Sequence, residues 1–313
     1  MKVKKESYCP YCSALQTPFE SNNFCSIHGH TNDKIFGNVF YIKTQQLLSE
    51  NHRSRISIRG VLNGYQHYYL NNRDLLLGRH KFVLFEDDQV FSTKIDSPYP
   101  TEAVIVSYGQ EDLNAIINSF SSSFDDMLNG MPAKESIWDI KLFDSTYDMS
   151  KEMSIAMHDL AKAIQLNVKD EMFYEEMRYT IMETALRHLL TTEKKLLQLS
   201  IKKESTKIEH YRRLLRSKDY ILSHLGKKLS LDEISNEASM SPYHYIRSFK
   251  GAFKLTPMQF VVQERLALAK DLIQHTDMPI SQILIEAGYD NPSSFSRAFK
   301  NKYGITPLSY RAA

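Results

Sequence analysis

SPYHYIRSFKGAFKLTP, residues 241–257, returns in altered form as NPSSFSRAFKNKYGITP, residues 291–307. With a shift of fifty, Pro242 meets Pro292, Tyr245 meets Phe295, Arg247 meets Arg297, Phe249 meets Phe299, Lys250 meets Lys300 and Phe253 meets Tyr303. Thr256-Pro257 returns as Thr306-Pro307. Upstream, at a shift of forty-nine, Leu231 pairs with Ile280, Ile234 with Ile283, and Glu237-Ala238 with Glu286-Ala287; Asp290 is the extra residue in the turn. Self-similarity at such a period marks one supersecondary unit used twice.

Each copy reads as helix, turn, helix. In the first, Ser230 with Glu233 three residues on forms a capping box, and Leu231, Ile234 and Ala238 sit at helical spacing. Ser241 then caps a second helix with Pro242 at its first position, where a missing N–H costs nothing. Tyr245, Phe249 and Phe253 make a core stripe at steps of four, and Tyr243, His244, Arg247, Ser248 and Lys250 point the other way. The second copy has Asn291 as cap, Pro292, the stripe Phe295, Phe299 and Tyr303, and an outward set of Ser293, Ser294, Ser296, Arg297 and Lys300.

Between the copies, TPMQFVVQERLALAKDLIQHT reads as one long helix, capped by Thr256 and opened by Pro257. About 18 residues at 1.5 Å each make roughly 27 Å. A rod of that length suits two recognition helices about one DNA turn, roughly 34 Å, apart. A helix-turn-helix lays its second helix in the major groove, so both second helices are candidate readers. Arg247 and Arg297 are placed to grip guanines bidentately, and Lys250 and Lys300 to hold phosphates. The competing reading pairs either arginine with a carboxylate on a neighbouring helix.

The stretch ISQILIEAGYDNPSSFSRAFKNKYGITPLSYR closely resembles the C-terminal signature of the AraC/XylS family of bacterial transcription regulators. The likeness covers residues 207–313, about a third of the chain. It implies base-facing positions at Tyr243, Ile246 and Arg247 in the first reading helix, and at Pro292, Ser293, Ser296 and Arg297 in the second. His244 is read as a surface or phosphate-facing residue. Ser239 departs from the family, which often has glycine in the first turn; the second copy has Gly288.

Charge agrees with this division. Residues 201–313 hold 18 Lys plus Arg and 11 Asp plus Glu, a net of +7, while the rest of the chain holds 21 and 26, a net of −5. A basic module on an acidic body suits nucleic-acid binding. No apolar run approaches the roughly 18–20 residues of a membrane helix. MKVKKESYCP has basic residues without an apolar block behind them, so a cytoplasmic protein without membrane contact is expected.

Residues 35 to about 108 alternate and read as strands: IFGNVFYIKT, SRISIRGVLN, YQHYYLNN, KFVLFEDD, VFSTKIDS and EAVIVSYG, with breaks at Asn63-Gly64, Asn71-Asn72, Asp87-Asp88 and Ser97-Pro98. Many short strands suggest a barrel or jelly roll, similar in architecture to the cupin-like barrel ahead of the DNA-binding domain in many family members. His52, His67 and His80 are scattered, which speaks against a catalytic metal there. An effector pocket is expected at the barrel, and alternation puts Tyr68 and Tyr69 on opposite faces without saying which lines it. From about 110 to 200 the pattern is helical, with Met177, Ile181, Ala185 and Leu189 on one face, either a dimer seam or an intramolecular packing face. SIKKESTK, residues 200–207, reads as a linker.

The chain has three cysteines, all in YCPYCSALQTPFESNNFCSIHGH, residues 8–30. Cys9, Cys12, Cys25 and His28 have the spacing of a Cys₃His structural zinc site, with His30 as fallback; a redox pair and unliganded thiols are the other readings.

The expected fold is therefore α+β and multidomain: a zinc-binding knuckle over 1–33, a cupin-like barrel over 34–110, a helical dimerisation or packing region and linker over 111–206, and an all-α double helix-turn-helix domain over 207–313. The expected function is sequence-specific transcription regulation without enzymatic activity. Its candidate partners are double-stranded DNA, RNA polymerase, a second copy of the chain and a small-molecule effector. The alternatives are a zinc- or redox-responsive sensor and a DNA-repair protein accepting an alkyl group on a zinc-bound cysteine. The latter chemistry uses four cysteines.

Overall fold

The computed structural model describes residues 34–36, 38–113, 115–116, 144–197 and 204–312. The knuckle residues Cys9, Cys12, Cys25 and His28 lie outside them. The chain divides into two compact units, and in the helical region the break falls after Leu186.

The strands are β1 (Lys34–Phe36), β2 (Val39–Arg53), β3 (Ser57–Asn63), β4 (Tyr65–Leu70), β5 (Arg73–Gly78), β6 (Lys81–Phe85), β7 (Val90–Ser107) and β8 (Thr146–Asp148). They form a nearly closed antiparallel β-barrel with strand order β1-β2-β7-β3-β6-β8, while β4 pairs with β7 and β5 with β4. The Asn71-Asn72 break is a tight turn in which both residues have left-handed φ, 50° and 57°, as a two-residue hairpin requires.

Ser97-Pro98 does not break the chain as expected. β7 is one long strand that passes through it and changes neighbours there. Tyr68 and Tyr69 of β4 pair with Thr93 and Ser92, whereas β3 pairs with residues 102–107. β2 accompanies both halves, with a register shift between Thr44 and Gln46 opposite residues 97–100. Proline cannot donate to a ladder, so Pro98 and Pro100 fall in this irregular corner, where the ladder skips them. β2 also runs nine residues beyond the expected IFGNVFYIKT, to Arg53, and RDLLLG forms β5, a strand absent from the sequence reading. β8 falls inside the stretch read as helical.

Helices α1 (Lys151–Gln165) and α2 (Glu171–Leu197) follow. Ser150 caps α1, its hydroxyl accepting from the Met153 amide at 3.1 Å. The helix lies so close on β3 that a Cβ at Gly60 would stand 2.2 Å from the Met157 sulfur. Buried Arg178 ties α2 to the barrel, donating to Asp112 at 2.6 Å, while the Tyr108 hydroxyl donates to the Arg178 carbonyl at 2.9 Å. Ile181, Ala185 and Leu189 are buried on α2 and Met177 is half-buried.

The second unit contains α3 (Glu204–Ser223), α4 (Leu231–Glu237), α5 (Pro242–Phe253), α6 (Pro257–His275), α7 (Ile280–Glu286), α8 (Pro292–Tyr303) and α9 (Pro307–Ala312). α3 starts within the stretch read as a linker; residues 200–203 of that stretch lie outside the described set. One aromatic core forms on Phe249, which meets Phe253 at 4.5 Å and Phe260 at 5.7 Å. Another forms on Phe299, which meets Tyr303 at 4.7 Å and Tyr310 at 5.6 Å. α6 runs between them, 19 residues long, and touches both α5 and α8.

Candidate nucleic-acid interface

The two copies of the repeat fold as α4–α5 and α7–α8. Their entry turns use the expected chemistry unevenly. Ser230 accepts from the Glu233 amide at 3.2 Å and Glu233 reaches back to the Ser230 amide, a complete capping box. Asn291 accepts from the Ser294 amide at 3.0 Å. Ser241 makes no side-chain cap bond, so α5 begins on the fixed φ of Pro242 alone. Thr256 and Gln259 form a second complete capping box at the head of α6.

α5 is seated by its buried face. The Tyr245 hydroxyl donates to the Ser217 hydroxyl of α3 at 3.0 Å, and burial pushes that phenol well above its ordinary value. Tyr245 and Phe249 are fully buried, as are Phe295 and Phe299 in α8, whereas Phe253 and Tyr303 end their stripes half-buried. Arg265 of α6 braces the assembly by donating to the carbonyls of Leu225 and Lys227 after α3.

The opposite faces match position by position. Tyr243, His244, Arg247 and Lys250 are exposed on α5, and Pro292, Ser293, Arg297 and Lys300 on α8. Ile246 and Ser296 are half-buried at equivalent places. Tyr243 is 80% exposed. Among the described residues neither Arg247 nor Arg297 pairs with a carboxylate, so the competing ion-pair reading finds no support there. His244 packs edge-on against His210 of α3 at 5.3 Å, and burial, followed by His244 and Arg213, lowers the His210 pKa.

A family model described as a helix-turn-helix domain matches residues 234–313. The chain is 29% identical over 199 residues to the probable transcriptional regulator LumQ of Photobacterium leiognathi, covering 62% of this chain and 75% of LumQ. It is 28% identical over 102 residues to the regulatory protein PocR of Salmonella typhimurium, covering 33% of this chain and about a third of PocR, 34%. A solved AraC-type transcriptional regulator from Chromobacterium violaceum is 27% identical, covering 33% of this chain and 91% of that one, at a TM-score of 0.31.

Fold, repeat and family match together make this a helix-turn-helix protein. Its C-terminal domain is a DNA-binding domain of the AraC/XylS type.

The sequence reading missed Arg265 and buried Arg59 of β3. Arg265 carried a signal, a lone cation in the apolar face of α6 facing the turn at Gly288. Arg59 carried little, since an arginine in an alternating strand reads as outward-facing.

Proposed function

We propose that this chain is a sequence-specific, non-enzymatic transcription regulator in which α5 and α8 enter adjacent major grooves of double-stranded DNA. The observation that carries the reading is the duplicated exposed face, with an arginine and a lysine at the same two places in each copy and, among the described residues, unengaged by carboxylates. Arg247 and Arg297 read guanine edges through bidentate donors; Lys250, Lys300 and His244 hold phosphates and set register. Tyr243, Ile246, Pro292, Ser293 and Ser296 complete the reading surface, with Ile246 and Pro292 suited to a thymine methyl rather than to a hydrogen bond. The similarity to LumQ, a probable transcriptional regulator, and to the regulatory protein PocR supports this reading. The first unit is then the input end, and RNA polymerase and a second copy of the chain are further partners.

Selection of bound sequences from a random pool, followed by footprinting, tests this. Protection is expected on one face of the duplex over two adjacent major grooves, with affinity falling steeply with salt. Unchanged binding of Arg297→Ala to the selected site would remove α8 from the reading surface.

A further inference from the structure

His210 of α3 and His244 of α5 meet across two helices that their neighbours fix together. The Tyr245 hydroxyl, beside His244, donates to the Ser217 hydroxyl of α3 at 3.0 Å. Tyr211, beside His210, packs on Phe253 of α5 with centroids 6.1 Å apart. The two imidazole centroids are 5.3 Å apart, with the ring planes inclined at 64°. His210 is half-buried and His244 exposed, so the pair is reachable from solvent.

Other helical histidines of this chain use a ring nitrogen locally. His158, His224 and His275 each donate from Nδ1 to the carbonyl four residues back, at 2.7, 2.9 and 2.9 Å. Neither His210 nor His244 makes a hydrogen bond among the described residues. Burial, followed by His244 and Arg213, lowers the His210 pKa, which keeps that ring neutral with a lone pair to offer. Arg213 is itself engaged by Glu209 at 3.0 Å, which tempers the positive field at the pair.

A Zn–N bond of about 2.0–2.1 Å and a tetrahedral angle put the centroids of two ligating imidazoles about 5 Å apart. His210 and His244 already stand at that separation. Imidazole suits zinc, copper and nickel rather than magnesium or calcium. Among the described residues no third His, Cys, Asp or Glu completes a set with them, so the remaining coordination positions belong to water.

We propose that His210 and His244 form a binding site for a divalent transition metal of the zinc class, joining α3 to the exposed face of α5. The site goes beyond the DNA-binding reading and does not rest on it. Two protein ligands hold an ion far less tightly than the four of a structural site, so this ion exchanges freely and is not carried through purification.

The test uses the full chain as purified, without DNA, titrated with zinc chloride by calorimetry at neutral pH and constant ionic strength. Any metal held near Cys9, Cys12 and Cys25 is common to all variants, so the difference between chains is what counts. The wild-type chain should take up one more zinc equivalent than His210→Gln or His244→Gln, with a dissociation constant in the micromolar range. His275→Gln, which alters a histidine of the same unit outside the pair, should keep that equivalent. Zinc should raise the melting temperature of the wild-type and His275→Gln chains above that of the two pair variants. Because both imidazoles must be neutral to ligate, the extra equivalent should disappear at mildly acid pH. Equal uptake by all four chains, extra uptake only at millimolar zinc, retention of the extra equivalent in His244→Gln or its loss in His275→Gln overturns the proposal. If His210→Gln fails to fold, His244→Gln decides alone, since its side chain is exposed. Because no readout involves DNA, failure here leaves the DNA-binding proposal standing.

Discussion

Ser239 and Gly288 occupy equivalent turns between the helices of the two repeats, and both have left-handed φ, 51° and 75°. Their surroundings differ. A Cβ at Gly288 would stand 2.2 Å from the Leu225 carbonyl oxygen and 2.7 Å from the Arg265 guanidinium, so glycine is required there by space as well as by torsion. Gly288→Ala is expected to destabilise the second unit by about 2–5 kcal/mol, adding left-handed strain to forced displacement of backbone. Ser239→Gly should do the opposite, raising stability by roughly 0.5–1 kcal/mol, because it removes a left-handed penalty. Urea denaturation of both variants checks the pair; equal and opposite small effects would show that the Leu225 carbonyl yields easily. The same asymmetry recurs at the helix ends, where Lys254 closes α5 and Gly304 closes α8, both left-handed. The sequence displays which residue stands in each turn, and that much was readable. It does not display Leu225 and Arg265 closing over one turn, since they come from two other elements. Arg59 was hidden for the same reason. Alternation assigns it a face, but only the folding of the sheet onto itself makes that face interior.

At the scale of elements, the repeat was legible because helix caps, prolines and aromatic stripes are local signals repeated in register. The caps differ in strength. Ser230→Ala deletes one arm of a capping box and should cost about 1 kcal/mol, whereas Ser241→Ala removes a side chain that makes no cap bond and should cost much less. Thermal melts of the two variants distinguish them. For DNA, the two reading helices act at separate grooves in the proposed mode. Arg247→Ala and Arg297→Ala should each weaken binding to the selected site by about 1–3 kcal/mol and relax preference at one base pair. Their combination should be close to additive. Lys250→Ala and Lys300→Ala should instead weaken all sequences alike and reduce the salt slope by about one each. Gel-shift titrations across salt separate the two behaviours, and a uniform loss for Arg247→Ala would recast it as a phosphate contact. The barrel strands were less legible than the helices. The Ser97-Pro98 signal is a sound turn cue in isolation, yet β7 absorbs it by changing neighbours, a solution available only when strands distant in sequence are present.

At the scale of the molecule, the uneven charge coincides with the division into units, since the basic stretch 201–313 lies wholly in the second unit. That unit has its own aromatic cores, and α6 alone spans both helix-turn-helix copies. Its DNA affinity should therefore depend little on the far end of the chain. This bears on the knuckle at Cys9, Cys12, Cys25 and His28, which lies outside the described residues and whose metal is a proposal from spacing alone. Three thiolates and one imidazole make a complete tetrahedral set for one structural zinc ion. Elemental analysis of the purified chain should find one zinc per molecule, and Cys12→Ser should reduce it to near none. Because ligand thiols must be deprotonated, retention should also fall as pH is lowered. A scaffold role predicts that chelation changes the melting of the first unit and leaves affinity for the selected DNA site unaltered. A reversible loss of DNA affinity on chelation, restored by added zinc, would instead make the knuckle an input in its own right.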